Sequence, residues 1–184
     1  HFTNGRFELG VGSGWSWEEY AALGVDFARR GKRLDEYIEA LRVTWTEERA
    51  TYQGEFVRFE NAVMNPKPVT PGGPPIIIGG DSAAAMRRAA RLGDGWYGWW
   101  AQPDIHAHLA TLGQILNDHD RDLADDDFDF KLGLPLSRID PAEIESKIEI
   151  AASLQVDELV LAPAIPTKDF DEHLALLARA AGLS

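Results

Sequence analysis

The run Ile76-Ile77-Ile78 leads directly into Gly79-Gly80-Asp81-Ser82 and then into an alanine- and arginine-rich stretch ending at Leu92-Gly93. Few architectures accept that order. Three consecutive β-branched apolar residues specify a strand covered on both faces. The two glycines let the backbone bend and let another group approach it closely. Asp81 and Ser82 are both good helix N-caps, and alanine and arginine are strong helix formers. Gly93 offers a C′-like stop, and Gly95-Trp96 opens a new hydrophobic segment. A strand, a glycine turn carrying a hydroxyl, and a helix N-terminus bring unpaired N–H groups and a helix dipole to one point, the physical basis of an anion site. Many α/β proteins use the same turn only as a tight connection.

The same order recurs along the chain. Phe7 to Val11 predicts a short strand, with Gly10, Gly12 and Gly14 at its end, and Ser16-Trp17-Glu18-Glu19 has capping-box spacing. Leu34, Tyr37, Ile38, Leu41 and Trp45 recur at helical intervals. Tyr52 to Phe56 reads as a hairpin turn, with Val57 and Phe59 alternating beyond it. Prolines between Pro66 and Pro75 make an extended connector into the isoleucine strand. Downstream, Trp96–Trp100, Phe130–Leu136 and Leu159–Leu161 read as strands. The first precedes a helix capped by Asp104, with a stripe of Ile105, Leu109, Leu112 and Leu116. Asp140-Pro141-Ala142-Glu143 opens the next helix. Phe170 to Ala181 is the last, with Leu174 and Leu177 on its apolar face.

Five strand-then-helix units, with one hairpin excursion at about 51–60, demand a parallel sheet with helical crossovers, read here as a single domain over residues 1–184. An open doubly wound sheet and a (β/α)8 barrel both meet that demand. Five units fit the first outright and the second only if three are missing. The chain starts at His1 and enters a strand within a few residues, so it reads as a piece of something longer.

Charge and composition close several classes. A formal net charge of −12 argues against a nucleic-acid or anionic-membrane partner. It leaves a small phosphorylated ligand open, because distant surface charge is screened beyond about 8 Å at physiological salt. The absence of cysteine excludes disulfides, thiolate metal sites and a cysteine nucleophile. No run of about 18 apolar residues and no signal-peptide pattern is present, so the expected location is the cytoplasm.

Other motifs fall short of chemistry. Gly10-Val11-Gly12-Ser13-Gly14-Trp15 has Trp15 where a dinucleotide fingerprint needs its third glycine. It reads instead as a strand end where a flat group or another backbone lies close. Asp118, Asp120 and Asp122 imitate the start of a calcium loop, but Leu123 replaces the turn glycine and Asp129 the bidentate glutamate. A solvated acidic loop is expected, with no metal. His106 and His108 point to different helix faces and, with His119 and His173, are expected at the surface. Trp96 is expected to pack between sheet and helix, and Trp99, nearer the loop, to line a pocket.

One resemblance joins these features. Gly5-Arg6, Leu9-Gly10-Val11-Gly12-x-Gly14-Trp15, Glu18-Glu19-Tyr20 and Arg30-Gly31-x-Arg33-x-Asp35-Glu36 resemble the luciferase-like monooxygenase family. So do Tyr52-x-Gly54-x-Phe56, Met64-Asn65-Pro66-Lys67-Pro68, Pro74-Pro75-Ile76-x-Ile78-Gly79-Gly80 and Ala89-Ala90-Arg91-Leu92-Gly93-Asp94-Gly95-Trp96. The match is dense over about the first hundred residues and is nearest to the branch using the deazaflavin coenzyme F-420 rather than FMN. It implies a (β/α)8 TIM barrel of which this chain holds the last five units. It implies a cofactor phosphate held by Ser82, with Gly79, Gly80 and Asp81 beside the cofactor tail and Gly10 and Gly12 admitting its ring. Trp15 and Trp99 are the implied substrate-pocket residues. Trp99 and Gln102 stand where relatives acting on sugar phosphates carry a threonine and a lysine, which argues against that substrate class. The family's acid–base machinery lies largely upstream, so Glu18 is the one carboxylate named as a catalytic candidate, beside a helix-entry role. The implied activity is hydride transfer between F-420 and a small-molecule substrate. The alternatives are an FMN-dependent monooxygenase and a non-catalytic half-barrel. Open strand edges predict a homo-oligomer or a complementary N-terminal half as partner.

Overall fold

The computed structural model describes residues 2–100, 105–136, 140–163 and 170–182. Asp104 and Gln102 lie outside them. The chain divides into two compact units, His1–Asp94 and Gly95–Ser184.

The first unit holds β1 (Leu9–Val11), α1 (Trp17–Ala22), a 3-10 turn (Phe27–Arg29), α2 (Arg30–Thr46), β2 (Ala50–Gln53), β3 (Arg58–Ala62), β4 (Ile76–Gly79) and α3 (Ala83–Leu92). β1 runs parallel to β4, with Leu9, Gly10 and Val11 opposite Ile76, Ile77 and Ile78. All three isoleucines are buried, as an unbroken apolar run requires. β1 begins at Leu9 and not at Phe7. The Leu9 N–H bonds the Pro75 carbonyl at 2.8 Å, and upstream of Ile76 the partner offers only Pro74 and Pro75, which have no N–H to give. Gly93 ends α3 in extended backbone (φ −91°, ψ 160°) rather than a left-handed C′ turn, because the chain runs straight on toward the next strand.

The hairpin β2–β3 is antiparallel, with Tyr52 opposite Phe59, and α2 holds its tip. The Glu36 carboxylate accepts N–H bonds from Glu55 (3.0 Å), Phe56 (2.6 Å) and Val57 (3.2 Å). The guanidiniums of Arg29 and Arg33 each lie 4.5 Å from the centre of the Phe56 ring. Tyr52 donates to Glu39 at 2.7 Å, which together with burial pushes the phenol up to about 12. Desolvation pulls Glu36 upward, but the three N–H bonds outweigh it and hold this carboxyl below its ordinary range. A depressed folded-state value means the latch is fully present above the unfolded carboxyl's titration, near pH 4.3, and is lost as pH falls through the lower folded value. The protection factors of the amides of residues 55–57, exchange being corrected for its intrinsic slowing in acid, should therefore fall on acidification below about pH 4.3, and Glu36→Gln should remove that pH dependence. Unchanged protection at pH 3 would refute the latch.

The second unit holds β5 (Gly95–Trp99), α4 (Ile105–Asn117), β6 (Asp129–Leu136), α5 (Pro141–Ser153), β7 (Glu158–Pro163) and α6 (Phe170–Ala180). β5, β6 and β7 are parallel. Ile105, Leu109, Leu112 and Leu116 are all buried, as their spacing predicts. Trp96 is fully buried and stacked on Phe130 at 5.9 Å. His108, expected at the surface, is half-buried with its ring 5.8 Å from Trp96, because the helix turn that buries Leu109 carries it inward too. Leu174 is half exposed, since the buried positions of α6, Leu177 and Ala180, fall in its later turns. Asp140 caps α5 through the N–H groups of Ala142 and Glu143. In the acidic loop, Asp122 accepts from Ala124 and Asp125 from Asp122, so the carboxylates close the loop's own turns. Among the described residues no group of acidic or histidine side chains is placed to hold a metal, and no helix is long and apolar enough to cross a membrane.

One device secures strands in both units. The Asp94 carboxylate accepts from the Ile76 N–H (2.7 Å) and from Arg42 (2.5 Å), while the Asp94 N–H bonds the Ile76 carbonyl. Asp157 does the same to Phe130, with 2.7 Å from the Phe130 N–H to the carboxylate and 2.9 Å from the Asp157 N–H to the carbonyl.

Candidate functional site

Pairing of β1 with β4 brings their glycine-rich carboxyl ends together. A Cβ on Gly12 would stand 3.7 Å from the Gly79 carbonyl, and one on Gly79 3.6 Å from that of Val11, so the two strand ends touch. Above Gly10 a Cβ would meet nothing within 4 Å, leaving open space over the strand. Gly80 turns the chain with φ +129°, a conformation that residues with a Cβ rarely adopt, and its missing Cβ makes room for Ala85. Ser82 follows in extended backbone and caps α3 by accepting from the Ala85 N–H at 3.2 Å. The cap uses an oxygen lone pair, so the hydroxyl proton remains available to a second acceptor. Asp81 sits half-buried between them.

The first 94 residues carry 12 Lys and Arg against 13 Asp and Glu, a net of −1. The remaining 90 carry 6 against 17, a net of −11. The acidity of the chain thus belongs to the second unit, and the turn at Ser82 stands in the nearly neutral one. Open space against a glycine strand, beside uncapped first-turn N–H groups, fits a flat ring with a phosphate-bearing tail.

Trp15, in the turn after β1, is 87% exposed. Glu18 is exposed and accepts a hydrogen bond from Ser16 Oγ at 3.0 Å, while Ser16 caps α1 through Glu19. The structure thus gives Glu18 the helix-entry contact.

In the second unit, Trp99 ends β5 at 40% exposed. Tyr97 shares its strand face and meets it edge-on, with centroids 5.6 Å apart at 86°. Both lean over Gly133, opposite Trp99 on β6. A Cβ there would overlap the Tyr97 hydroxyl and lie 2.8 Å from Trp99 Cε3. On the same face Lys131, 7% exposed, donates to Glu158 on β7 at 2.7 Å. Sequence reasoning found Trp99 and missed Tyr97, Lys131, Gly133 and Glu158. A signal existed: an aspartate, a lysine and a glycine at alternate places in β6, Asp129, Lys131 and Gly133, mark a second face with a different task. Gly133→Ala should drive the two rings from their seats, lowering stability by about 1–3 kcal/mol and altering tryptophan fluorescence. An unchanged emission spectrum and melt would show that the rings do not depend on that clearance.

Comparison with known proteins adds ancestry. The family described as luciferase-like monooxygenase matches residues 1–180. An uncharacterized protein of Mycobacterium tuberculosis is 33% identical over 182 residues, covering 98% of this chain and 60% of its own length. The FMNH2-dependent dimethylsulfone monooxygenase of Pseudomonas fluorescens is 41% identical over 98 residues, covering 52% of this chain and 26% of its own. Among solved structures, the monooxygenase RslO1 from Streptomyces bottropensis superposes with a TM-score of 0.72 at 18% identity, over 97% of this chain and 68% of that one. An F-420-dependent secondary alcohol dehydrogenase, solved with an F-420–acetone adduct, gives 0.75 at 14% identity, over 94% and 68%. At such identities these two structures speak for the fold. The chain spans about 60% of the length of its mycobacterial relative.

Proposed function

The chain belongs to the luciferase-like monooxygenase family, and from that premise we propose that it carries the cofactor-binding part of an oxidoreductase that moves hydride between coenzyme F-420 and a small organic substrate. The observation that carries this reading is the meeting of two glycine-rich strand ends beside the Ser82-capped start of α3. Ser82 and the first-turn N–H groups of α3 would hold the phosphate. Gly79 and Gly80 would let the tail lie against backbone, with Asp81 beside it, and Gly10 and Gly12 would admit the ring. The coenzyme, when bound, supplies the carbon that accepts or releases hydride, and the protein supplies orientation.

Trp15, exposed in the turn after β1, would offer the substrate apolar surface. The run from Gly10 to Thr46, which resembles the deazaflavin-using branch of the family, supports the deazaflavin. An FMN-dependent monooxygenase is the second reading, favoured by the 41% identity to the dimethylsulfone enzyme. β1 and β7 each have one strand neighbour among the described residues, β4 and β6. A second copy, or further barrel units in the native-length protein, would cover the other edges. Titrating native-length protein with F-420 and with FMN, followed by cofactor fluorescence, separates the readings. Preference for F-420 is expected, FMN binding as tight or tighter would establish the second, and binding of neither would leave the chain a non-catalytic barrel segment.

A further inference from the structure

The turn between β1 and α1 contains Gly12-Ser13-Gly14, and a sequence with two glycines in three residues does not hold one shape unaided. In this structure it is braced from both sides. On one side Gly12 lies against the end of β4. On the other, Tyr20 reaches back from α1, and its phenol donates to the Ser13 carbonyl at 2.6 Å. The Tyr20 ring passes beside Gly14, which has φ +71° and whose Cβ, were there one, would stand 3.4 Å from the ring.

Tyr20 is itself fixed from behind. Phe27 meets it edge-on at 5.4 Å and 78°, and the Arg30 guanidinium lies 3.8 Å from the Phe27 ring centre while donating to the Phe27 carbonyl. The neighbouring Trp15 and Trp17, 87% and 61% exposed, supply little that would hold the turn.

We propose that Tyr20 is a positioning residue, setting the β1–α1 turn so that Gly10 and Gly12 present a ready-made surface to the cofactor ring. The proposal rests on the cofactor reading above. It adds that the contact of Gly12 with β4 does not set the turn alone, and that the Tyr20 hydroxyl supplies the second brace. A turn ordered in advance spares binding the cost of ordering it, so loss of the hydroxyl appears as lost affinity.

The test is Tyr20→Phe in native-length protein, which keeps the ring contacts with Phe27 and Gly14 and removes only the hydrogen bond. The expected result is faster amide exchange from Ser13 to Trp15, cofactor affinity (FMN and F-420 each titrated) weakened about five- to tenfold, and a melting temperature within about 2 °C of the parent. Unchanged exchange or unchanged affinity would overturn the proposal. So would a fall in melting temperature large enough to account for the lost affinity, since Tyr20 would then be structural only. Tyr20→Leu, which also loses the ring, separates the two by unfolding the region around α1. A parent protein that binds neither cofactor refutes the cofactor reading, whereas unchanged exchange in Tyr20→Phe refutes the bracing alone.

Discussion

Ser82→Asp should leave the protein folded and remove most of its affinity for any phosphate-bearing cofactor. Aspartate is as good an N-cap as serine, so the bond from the Ala85 N–H is kept and the α3 dipole favours the new charge. The same carboxylate would occupy the place proposed for a phosphate. Two like charges about 4 Å apart repel by about 4 kcal/mol at the effective dielectric of a protein surface, about a thousandfold in affinity. Ser82→Ala makes the contrast. It should lose a charge-assisted bond worth about 1.5–3 kcal/mol, ten- to a hundredfold in affinity, together with about 1 kcal/mol of stability from the lost cap. A melt and a fluorescence titration with F-420 and FMN on each variant decide between the roles. If Ser82 only caps the helix, Ser82→Asp will bind as the parent does, and the phosphate assignment fails.

The largest effects on folding should come from Asp94→Ala and Asp157→Ala. Each removes the acceptor of a backbone N–H on a fully buried residue, Ile76 in one unit and Phe130 in the other. Leaving such a donor without a partner, and losing a bond to a charged group, costs about 3 kcal/mol. For a chain of this size that is about 6–12 °C in melting temperature. Asp94→Ala also removes the ion pair with Arg42, which keeps only its 3.5 Å bond to the Leu92 carbonyl among the contacts at this corner. Asn at either place keeps an acceptor for the N–H and should cost about 1 kcal/mol. Thermal and urea unfolding measure both. Alanine variants within 0.5 kcal/mol of the parent would mean that these aspartates do not secure the strands.

Much of this was written locally. The triple isoleucine, the Ser16, Ser82 and Asp140 caps, the hairpin turn at Gly54 and the stripe of α4 each act over a few residues, and each stands where its pattern predicts. Departures occur where a distant partner intervened. β1 shortens because Pro74 and Pro75, more than sixty residues on, cannot donate to it. His108 turns inward because Trp96 offers a ring to pack on. Asp94 and Asp157 were legible only as residues between a helix end and a strand, a place where aspartate looks like ordinary loop.

The candidate site divides along the same line. Gly79, Gly80, Asp81 and Ser82 are contiguous, so the sequence determined both the turn and the helix N-terminus that could hold an anion. Gly10 and Gly12 were visible as a strand end, but only the parallel register of β1 on β4 placed them beside that turn. The reach of Tyr20 back to Ser13, the seat of Tyr97 and Trp99 over Gly133, and the pairing of Lys131 with Glu158 were decided by tertiary structure. The physical reason is register. A side chain's face alternates with each residue of a strand, so a shift of one place between β5 and β6 would exchange Tyr97 and Lys131 for neighbours on the other face such as Trp96, Phe130 and Leu132. Burial of Trp96, Phe130, Leu132 and Leu134 on that other face selects the register, and no short stretch of the chain contains it.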